Sequence, residues 1–263
     1  MKRLGNQTLE LDNSCYIIGR GALVGEKEKT GTYKHYMKNA VDDDKMGEKT
    51  FEKGERRMLA VVNRKAIRDA GLKPDDIDIY LGGDLMNQLV SSNYVAELLQ
   101  VPFVGIYSAC ATITASIGMA SCLIDSGGFD NVLCSAISHF SAAERQYRYP
   151  LEFGNQRQCY SQWTVTGGAG FVLSKEKSPV KITKVCFGRV QDYGVVDIAN
   201  MGAAMAPAIA IIGLCGMILP RISNTKIYSK GGKYSINNVC EIQLGSQQNI
   251  LLTFYYRIKI QII

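Results

Sequence analysis

The stretch from Ile106 to Asp125 restricts the possible folds more than any other part of the chain. It begins with the small residues around Cys110, and its second part, Ala111–Asp125, is rich in Ala, Ile, Met and Leu and has no charged side chain before Asp125. A helix of this composition has no polar face and must be buried on all sides. Helices that cover an open doubly wound sheet keep one face in water. The segment therefore favours a layered α/β fold in which a central helix is sandwiched between sheets.

Helix and strand patterns alternate along the rest of the chain. Apolar residues recur at helical spacing from Thr50 to Ala70, and Gly71 follows where that helix is expected to end. A further helix is predicted for Val90–Gln100. Short apolar stretches typical of buried strands lie at 15–19, 79–83, 102–108, 131–137, 166–173 and 180–190. The alternation predicts parallel strands joined by right-handed crossovers.

The composition of the chain changes near residue 208. The net charge is +6, yet residues 1–197 contain 24 basic and 23 acidic side chains, whereas residues 198–263 contain six basic side chains and a single acidic one. No Ala follows Ala210, and Ile becomes the commonest residue. We expect a folded unit over 1–208 and an unmatched tail over 209–263 that is disordered or encoded out of frame, which sequencing of the locus tests. A divergent β-rich end segment is the alternative, because residues 250–256 are typical of a strand.

Composition also excludes several classes of protein. A 46% hydrophobic chain with a mean hydropathy of −0.03 is not intrinsically disordered. Its apolar runs are shorter than a membrane-spanning helix requires, and no apolar segment follows the basic start, so we expect no transmembrane segment, no signal peptide and cytoplasmic synthesis. Eight cysteines without a CxxC pair predict neither a metal site nor a disulfide framework. No cofactor fingerprint and no basic stripe are identified in residues 1–197, so neither a cofactor nor nucleic-acid binding is expected.

Cys110 and His139 are the candidates for chemistry. Cys110 stands at the first turn of the predicted buried helix, where unpaired N–H groups favour a nucleophilic thiolate. The alternative is that Cys110 is one small residue among several at a crowded turn. His139 is one of only two histidines and is the candidate base for Cys110. The alternative, which is the commoner case for a single histidine in such a segment, is that His139 is a hydrogen-bonded structural residue.

Arginines and tyrosines alternate shortly after His139. Arg145, Arg148 and Arg157 could bind a planar dianion through their forked donors, with the tyrosines stacking beside it. A loop with one solvated side is the alternative interpretation.

With these residues identified, residues 1–208 resemble the stage V sporulation protein AD family of endospore-forming bacteria, within the thiolase and β-ketoacyl synthase superfamily. The following segments carry the resemblance: GRGALVGEKE at 19–28, GGDLMNQ at 82–88, YSACAT at 107–112, SHFSAAERQYR at 138–148, EFGNQR at 152–157, TGGAG at 166–170 and NMGAAMAP at 200–207.

The resemblance implies a thiolase-like layered α-β-α-β-α fold, of which this chain contains mainly the N-terminal half, followed by an irregular tail that is foreign to the family. It implies a protein that binds dipicolinic acid, lies peripherally at the spore inner membrane with the other SpoVA channel proteins, and supports dipicolinic acid uptake. A homodimer, as in the superfamily, is also implied.

The resemblance places Cys110 at the nucleophile position of the superfamily, with His139, Arg145 and Arg148 as further candidate ligand-binding residues. The partners of that nucleophile lie in the second half of the superfamily fold, which is not recognisable here beyond Ala208. We therefore expect a binding protein that is impaired by truncation, without an enzymatic activity. A Cys-dependent acyltransferase of the thiolase or β-ketoacyl synthase type is the alternative.

Overall fold

The computed structural model describes residues 1–4, 6–31, 34–37, 39–147 and 164–192, together with the backbone of four strands between 227 and 262. The elements follow in this order: β1 (Lys2–Leu4), β2 (Thr8–Val24), α1 (Glu26–Thr30), α2 (Phe51–Asp69), β3 (Ile79–Asp84), α3 (Val90–Leu99), β4 (Phe103–Gly105), α4 (Thr112–Asp125), β5 (Asn131–Ser138), α5 (Phe140–Tyr147), β6 (Gly167–Ser174), β7 (Val180–Asp192), β8 (Ile227–Ser229), β9 (Gly232–Tyr234), β10 (Leu244–Gly245) and β11 (Leu251–Ile262). Within these residues, no helix is both long enough and apolar enough to span a membrane.

One nine-stranded sheet organises the described residues. Its strand order is β10-β11-β7-β2-β6-β5-β3-β4, and β1 pairs with β2 at its side. β3 pairs in parallel with both of its neighbours, β4 and β5. The pairs β5–β6, β6–β2, β2–β7 and β7–β11 are antiparallel. The prediction of parallel strands is therefore correct for the β3–β5 region and wrong beyond it. β6 and β7 do not pair with each other, because both pair antiparallel with β2, β6 with its second part and β7 with its first part.

Helix α2 covers one face of this sheet, and its ends confirm the sequence prediction. The Thr50 side chain accepts a hydrogen bond from the Lys53 amide at the start, and Gly71 has a φ of +73° just beyond the end, as expected for a helix stop. The helix approaches β2 closely because Gly21 has no side chain. A Cβ atom at Gly21 would lie 2.3 Å from the carbonyl oxygen of Val62.

Helix α4 covers the opposite face. Its buried residues Ile117 and Ile124 belong to an apolar cluster with Leu81 and Leu173 of the sheet, whereas α2 and α3 contribute to a separate cluster. Met119 is the one exposed residue of α4, and the others are buried or half-buried. Burial on nearly all sides confirms the prediction from the missing charges, and the nine-stranded sheet lies on one side of the helix.

The described backbone beyond residue 208 is extended. β11 pairs antiparallel with β7 from Leu252 to Ile262, and β10 pairs with β11. β11 overlaps residues 250–256, for which the alternative interpretation of the sequence predicts a strand. The division into a unit over 1–208 and an unmatched tail over 209–263 stays a prediction.

Candidate functional site

The carboxyl ends of three parallel strands meet at one edge of the sheet. In the register of these strands, Gly82 of β3 pairs with Gly105 of β4, and Asp84 pairs with Ile137 of β5. The turn containing Cys110 follows β4, and His139 follows β5, so both lie at this edge. Ligands of open α/β sheets bind outside the carboxyl ends of the strands.

Cys110 lies in a tight turn directly before α4. The turn spans Ala109–Ala111, and the Cys110 side chain is exposed. The Ala111 amide donates to the Ser108 carbonyl at 2.8 Å, and the Thr112 hydroxyl accepts from the Ser108 amide at 3.2 Å. The predicted position at the start of the buried helix is therefore confirmed.

Other cysteines lie in a different environment. Cys15 and Cys134 are fully buried between the sheet and α4. Burial raises the pKa of the Cys15 thiol to about 12 and raises the pKa of Cys134 well above its ordinary value. Among these three thiols, Cys110 is the one that a reagent in solution can reach.

His139 is fully buried, and its ring packs against Phe51 with centroids 5.3 Å apart. Its Nε2 atom lies 3.1 Å from the Asp44 carbonyl oxygen, which requires the proton to sit on Nε2. Burial lowers the pKa of the imidazole and favours the neutral form. In the described part of the chain no hydrogen bond joins His139 to Cys110, so a role as base for Cys110 stays a prediction, and the contacts shown are structural ones.

Arg145 of α5 lies beside the first turn of α2. Its Nη1 atom is 3.1 Å from Oε1 of Glu52, and its guanidinium group lies 5.4 Å from the centre of the Phe51 ring. These contacts orient the guanidinium group, which remains about one third exposed. Arg148 and Arg157 lie outside the described residues.

Two buried carboxyl groups near this edge were not identified from sequence. Asp84 accepts hydrogen bonds from the Ser92 hydroxyl at 2.6 Å and from the amides of Ser92 and Met86. Glu55 of α2 is fully buried, and neither of its oxygens makes a well-formed hydrogen bond to a described residue. Burial raises the pKa of both carboxyls, and the charge of Asp84 raises that of Glu55 further. The burial of Glu55 could have been predicted from the sequence, because Glu55 lies three residues before Met58 and therefore on the apolar face of α2.

Among the described residues, no group of three or more His, Cys, Asp and Glu side chains is arranged to hold a metal ion. The groups available at the edge are an exposed thiol, an oriented guanidinium group and two buried carboxyl groups whose pKa values are raised by burial.

Two solved structures show a fold similar to that of this chain. The 3-oxoacyl-[acyl-carrier-protein] synthase III of Aquifex aeolicus VF5 superposes with a TM-score of 0.50 and 17% identity, over 79% of this chain and 71% of the enzyme. The H285N variant of OleA from Xanthomonas campestris gives a TM-score of 0.50 and 12% identity, over 81% of this chain and 75% of OleA. The chain therefore has a thiolase-like ketosynthase fold.

Sequence comparison defines the family within this fold. The family model of stage V sporulation protein AD (SpoVAD) matches residues 5–214. Stage V sporulation protein AD of Bacillus subtilis (strain 168) is 37% identical over 210 residues. The chain belongs to the stage V sporulation protein AD family. The aligned region covers 80% of this chain and 62% of the relative's length.

Proposed function

We propose that this sporulation protein acts in the dipicolinic acid uptake and channel system of endospore formers by binding dipicolinic acid. Its membership of the stage V sporulation protein AD family carries the proposal. The ligand is a flat ring with two carboxylates, and the candidate site has an exposed edge at the carboxyl ends of β3, β4 and β5. Arginine suits such a ligand because its planar fork donates two parallel hydrogen bonds to one carboxylate.

Arg145 is the described residue best suited to this role. Glu52 and the Phe51 ring already orient its guanidinium group, so little side-chain freedom is lost when a ligand binds. A ligand carboxylate would bind the exposed part of the Arg145 guanidinium group. Arg148 and Arg157 are proposed to add further positive charge to the same segment.

Titration calorimetry with dipicolinate tests the proposal. We expect saturable binding by the unmodified chain and about tenfold to 100-fold weaker binding by Arg145→Gln, because a hydrogen bond to a charged group contributes about 1.5–3 kcal/mol. Arg3→Gln is the matched control, since Arg3 lies on β1 and contacts the Asn6 carbonyl. The proposal is wrong if the unmodified chain gives no binding heat while its thermal melt shows a folded protein.

The alternative function is a Cys-dependent acyltransferase, and the exposed position of Cys110 before α4 favours it. Incubation with an acyl thioester followed by mass spectrometry separates the two functions. We expect iodoacetamide to label Cys110 well before the buried Cys15 and Cys134, and we expect no acyl adduct. A stable acyl adduct that is lost in Cys110→Ser would instead support the acyltransferase.

Location and assembly are proposed together with this function. We propose that the protein lies peripherally at the spore inner membrane with the other SpoVA channel proteins and forms a homodimer. Self-association is supported by β4, which ends the sheet formed by the described strands and exposes Val104, and by the absence of charged side chains in residues 98–124. Sedimentation velocity of the unmodified chain tests this, since a monomer at all concentrations would contradict it.

A further inference from the structure

The outward surface of α2 is strongly basic. Its exposed positions recur every three or four residues and form one continuous strip along the helix. They are Lys53, Arg57, Val61, Arg64, Lys65, Arg68 and Asp69. The helix has 19 residues and is therefore about 28 Å long. The sequence alone indicated no basic stripe in residues 1–197, and the structure corrects this because Glu52 and Glu55 of α2 lie outside the strip and Asp69 is its one acidic member.

Most of this positive charge has no ionic partner among the described residues. Lys53, Arg64, Lys65 and Arg68 form no salt bridge there, whereas Arg57 lies 3.4 Å from a carboxylate oxygen of Glu48. The other charges of the helix are accounted for elsewhere. Asp69 faces Arg20 of β2, Glu52 faces Arg145, and Glu55 is buried.

Helix α3 extends the same surface with apolar side chains. α2 and α3 pack on the same side of the sheet through one apolar cluster. On α3, Val90, Tyr94 and Leu98 recur every four residues and are exposed, with Tyr94 exposed by 55%. The guanidinium group of Arg56, a half-buried residue next to Arg57 on α2, lies 5.1 Å from the centre of the Tyr94 ring and links the two helices beside the basic strip.

We propose that this α2–α3 face, defined by the exposed residues of the two helices, binds an anionic lipid surface. Lys and Arg are attracted to acidic head groups, and each contributes separately near the membrane. Val61, Val90, Tyr94 and Leu98 enter the boundary between head groups and acyl chains, as apolar residues of interfacial helices do. The exposed Glu97 of α3 is the one opposing acid between the apolar positions.

Two features favour lipid over another polyanion. The basic residues lie on the outer side of a helix that covers a sheet, which suits a plane and offers no groove for an acidic peptide. The four exposed apolar side chains beside the charges would gain nothing from contact with a phosphate backbone. Their burial in a bilayer would contribute favourably to the free energy of binding. The α2–α3 face would supply the membrane contact for the peripheral location proposed above. Lipid binding by this face does not depend on dipicolinate binding.

Vesicle co-sedimentation of the full chain tests the face. We expect binding to vesicles of phosphatidylcholine with about one third phosphatidylglycerol, weak binding to pure phosphatidylcholine, and loss of binding at high salt. The triple substitution Arg64→Gln, Lys65→Gln, Arg68→Gln is expected to weaken binding about 100-fold, since each basic residue contributes about fivefold. A separate double variant, Tyr94→Ser with Leu98→Ser, should also weaken vesicle binding relative to the unmodified chain, without changing the salt dependence of binding.

The matched control is Lys2→Gln, Lys175→Gln, Lys177→Gln, which removes the same charge from exposed positions away from α2. It should leave vesicle binding within about twofold of the unmodified chain. Equal losses in both triple variants would overturn the proposal, as would equal binding to neutral and anionic vesicles. Binding to double-stranded DNA that is as tight as vesicle binding and insensitive to the Tyr94 and Leu98 changes would also overturn it. Dipicolinate binding is measured by calorimetry without vesicles, so a failure of the proposed function is distinguished from a failure of lipid binding.

Discussion

Replacing Gly21 with Ala is expected to lower the free energy of unfolding by about 3 kcal/mol. A Cβ atom at this position would lie 2.3 Å from the Val62 carbonyl oxygen and 2.9 Å from the Ala66 amide nitrogen. Both are backbone atoms of α2, so no side chain can rotate away and the whole helix must move off β2. Overpacking of this kind costs about 1–3 kcal/mol, and more where the backbone must shift.

Urea denaturation of Gly21→Ala measures this cost. Gly128→Ala is the matched control, because its Cβ atom would meet its nearest neighbour at 3.6 Å, an ordinary contact distance. The control is expected to stay within about 0.5 kcal/mol of the unmodified chain. A Gly21→Ala protein as stable as the control would show that α2 does not pack against β2 as described.

The contribution of Glu55 to the stability of the chain is expected to fall as the pH rises above about 4.5, and Glu55→Gln is expected to remove this part of the pH dependence. Burial, and secondly the charge of Asp84, raise the pKa of the Glu55 carboxyl well above its ordinary value of 4.5. Below the unfolded pKa both states hold the proton, and the stabilisation is fully present. As the pH rises towards the folded pKa, the unfolded chain releases its proton while the folded chain retains it, so stability is lost.

Thermal melts between pH 4 and pH 9 test this expectation. Glutamine keeps the shape of the neutral carboxylic acid, so Glu55→Gln should match the unmodified chain near pH 4 and exceed its stability at neutral and alkaline pH. Glu97→Gln, which changes an exposed carboxylate of α3, is the matched control and should leave the pH dependence unchanged. Parallel curves for Glu55→Gln and the unmodified chain would contradict the burial of an unpaired carboxyl at this position.

Local signals explain which elements could be predicted. Helix α2 was predictable because its cap at Thr50, its apolar spacing and its stop at Gly71 all lie within one stretch of sequence. Helix α4 was predictable because the absence of charge directly reports burial. Strand β2 runs from Thr8 to Val24, yet only its apolar part at 15–19 was predicted, because polar residues on an exposed stretch resemble a loop.

Strand direction and side-chain partners depend on contacts that are distant in sequence. The antiparallel pairing of β6 with both β2 and β5 is such a feature, and the alternating pattern of elements did not contain it. The position of Cys110 followed from the turn and the helix that flank it. The contact of His139 with Asp44 and the ion pair of Arg145 with Glu52 join segments about 95 residues apart, so spacing alone could not indicate them.

The turn that carries Cys110 is shaped by backbone contacts and by the hydroxyl group of Thr112. A Cβ atom at Gly83 would lie 2.2 Å from the Ile106 carbonyl oxygen, and the hydrogen bonds of the turn join Ile106, Ser108, Ala111 and Thr112. These contacts are made by residues other than Cys110. A substitution at position 110 is therefore expected to keep these contacts and to change the chemical group that is exposed at the carboxyl ends of β3, β4 and β5.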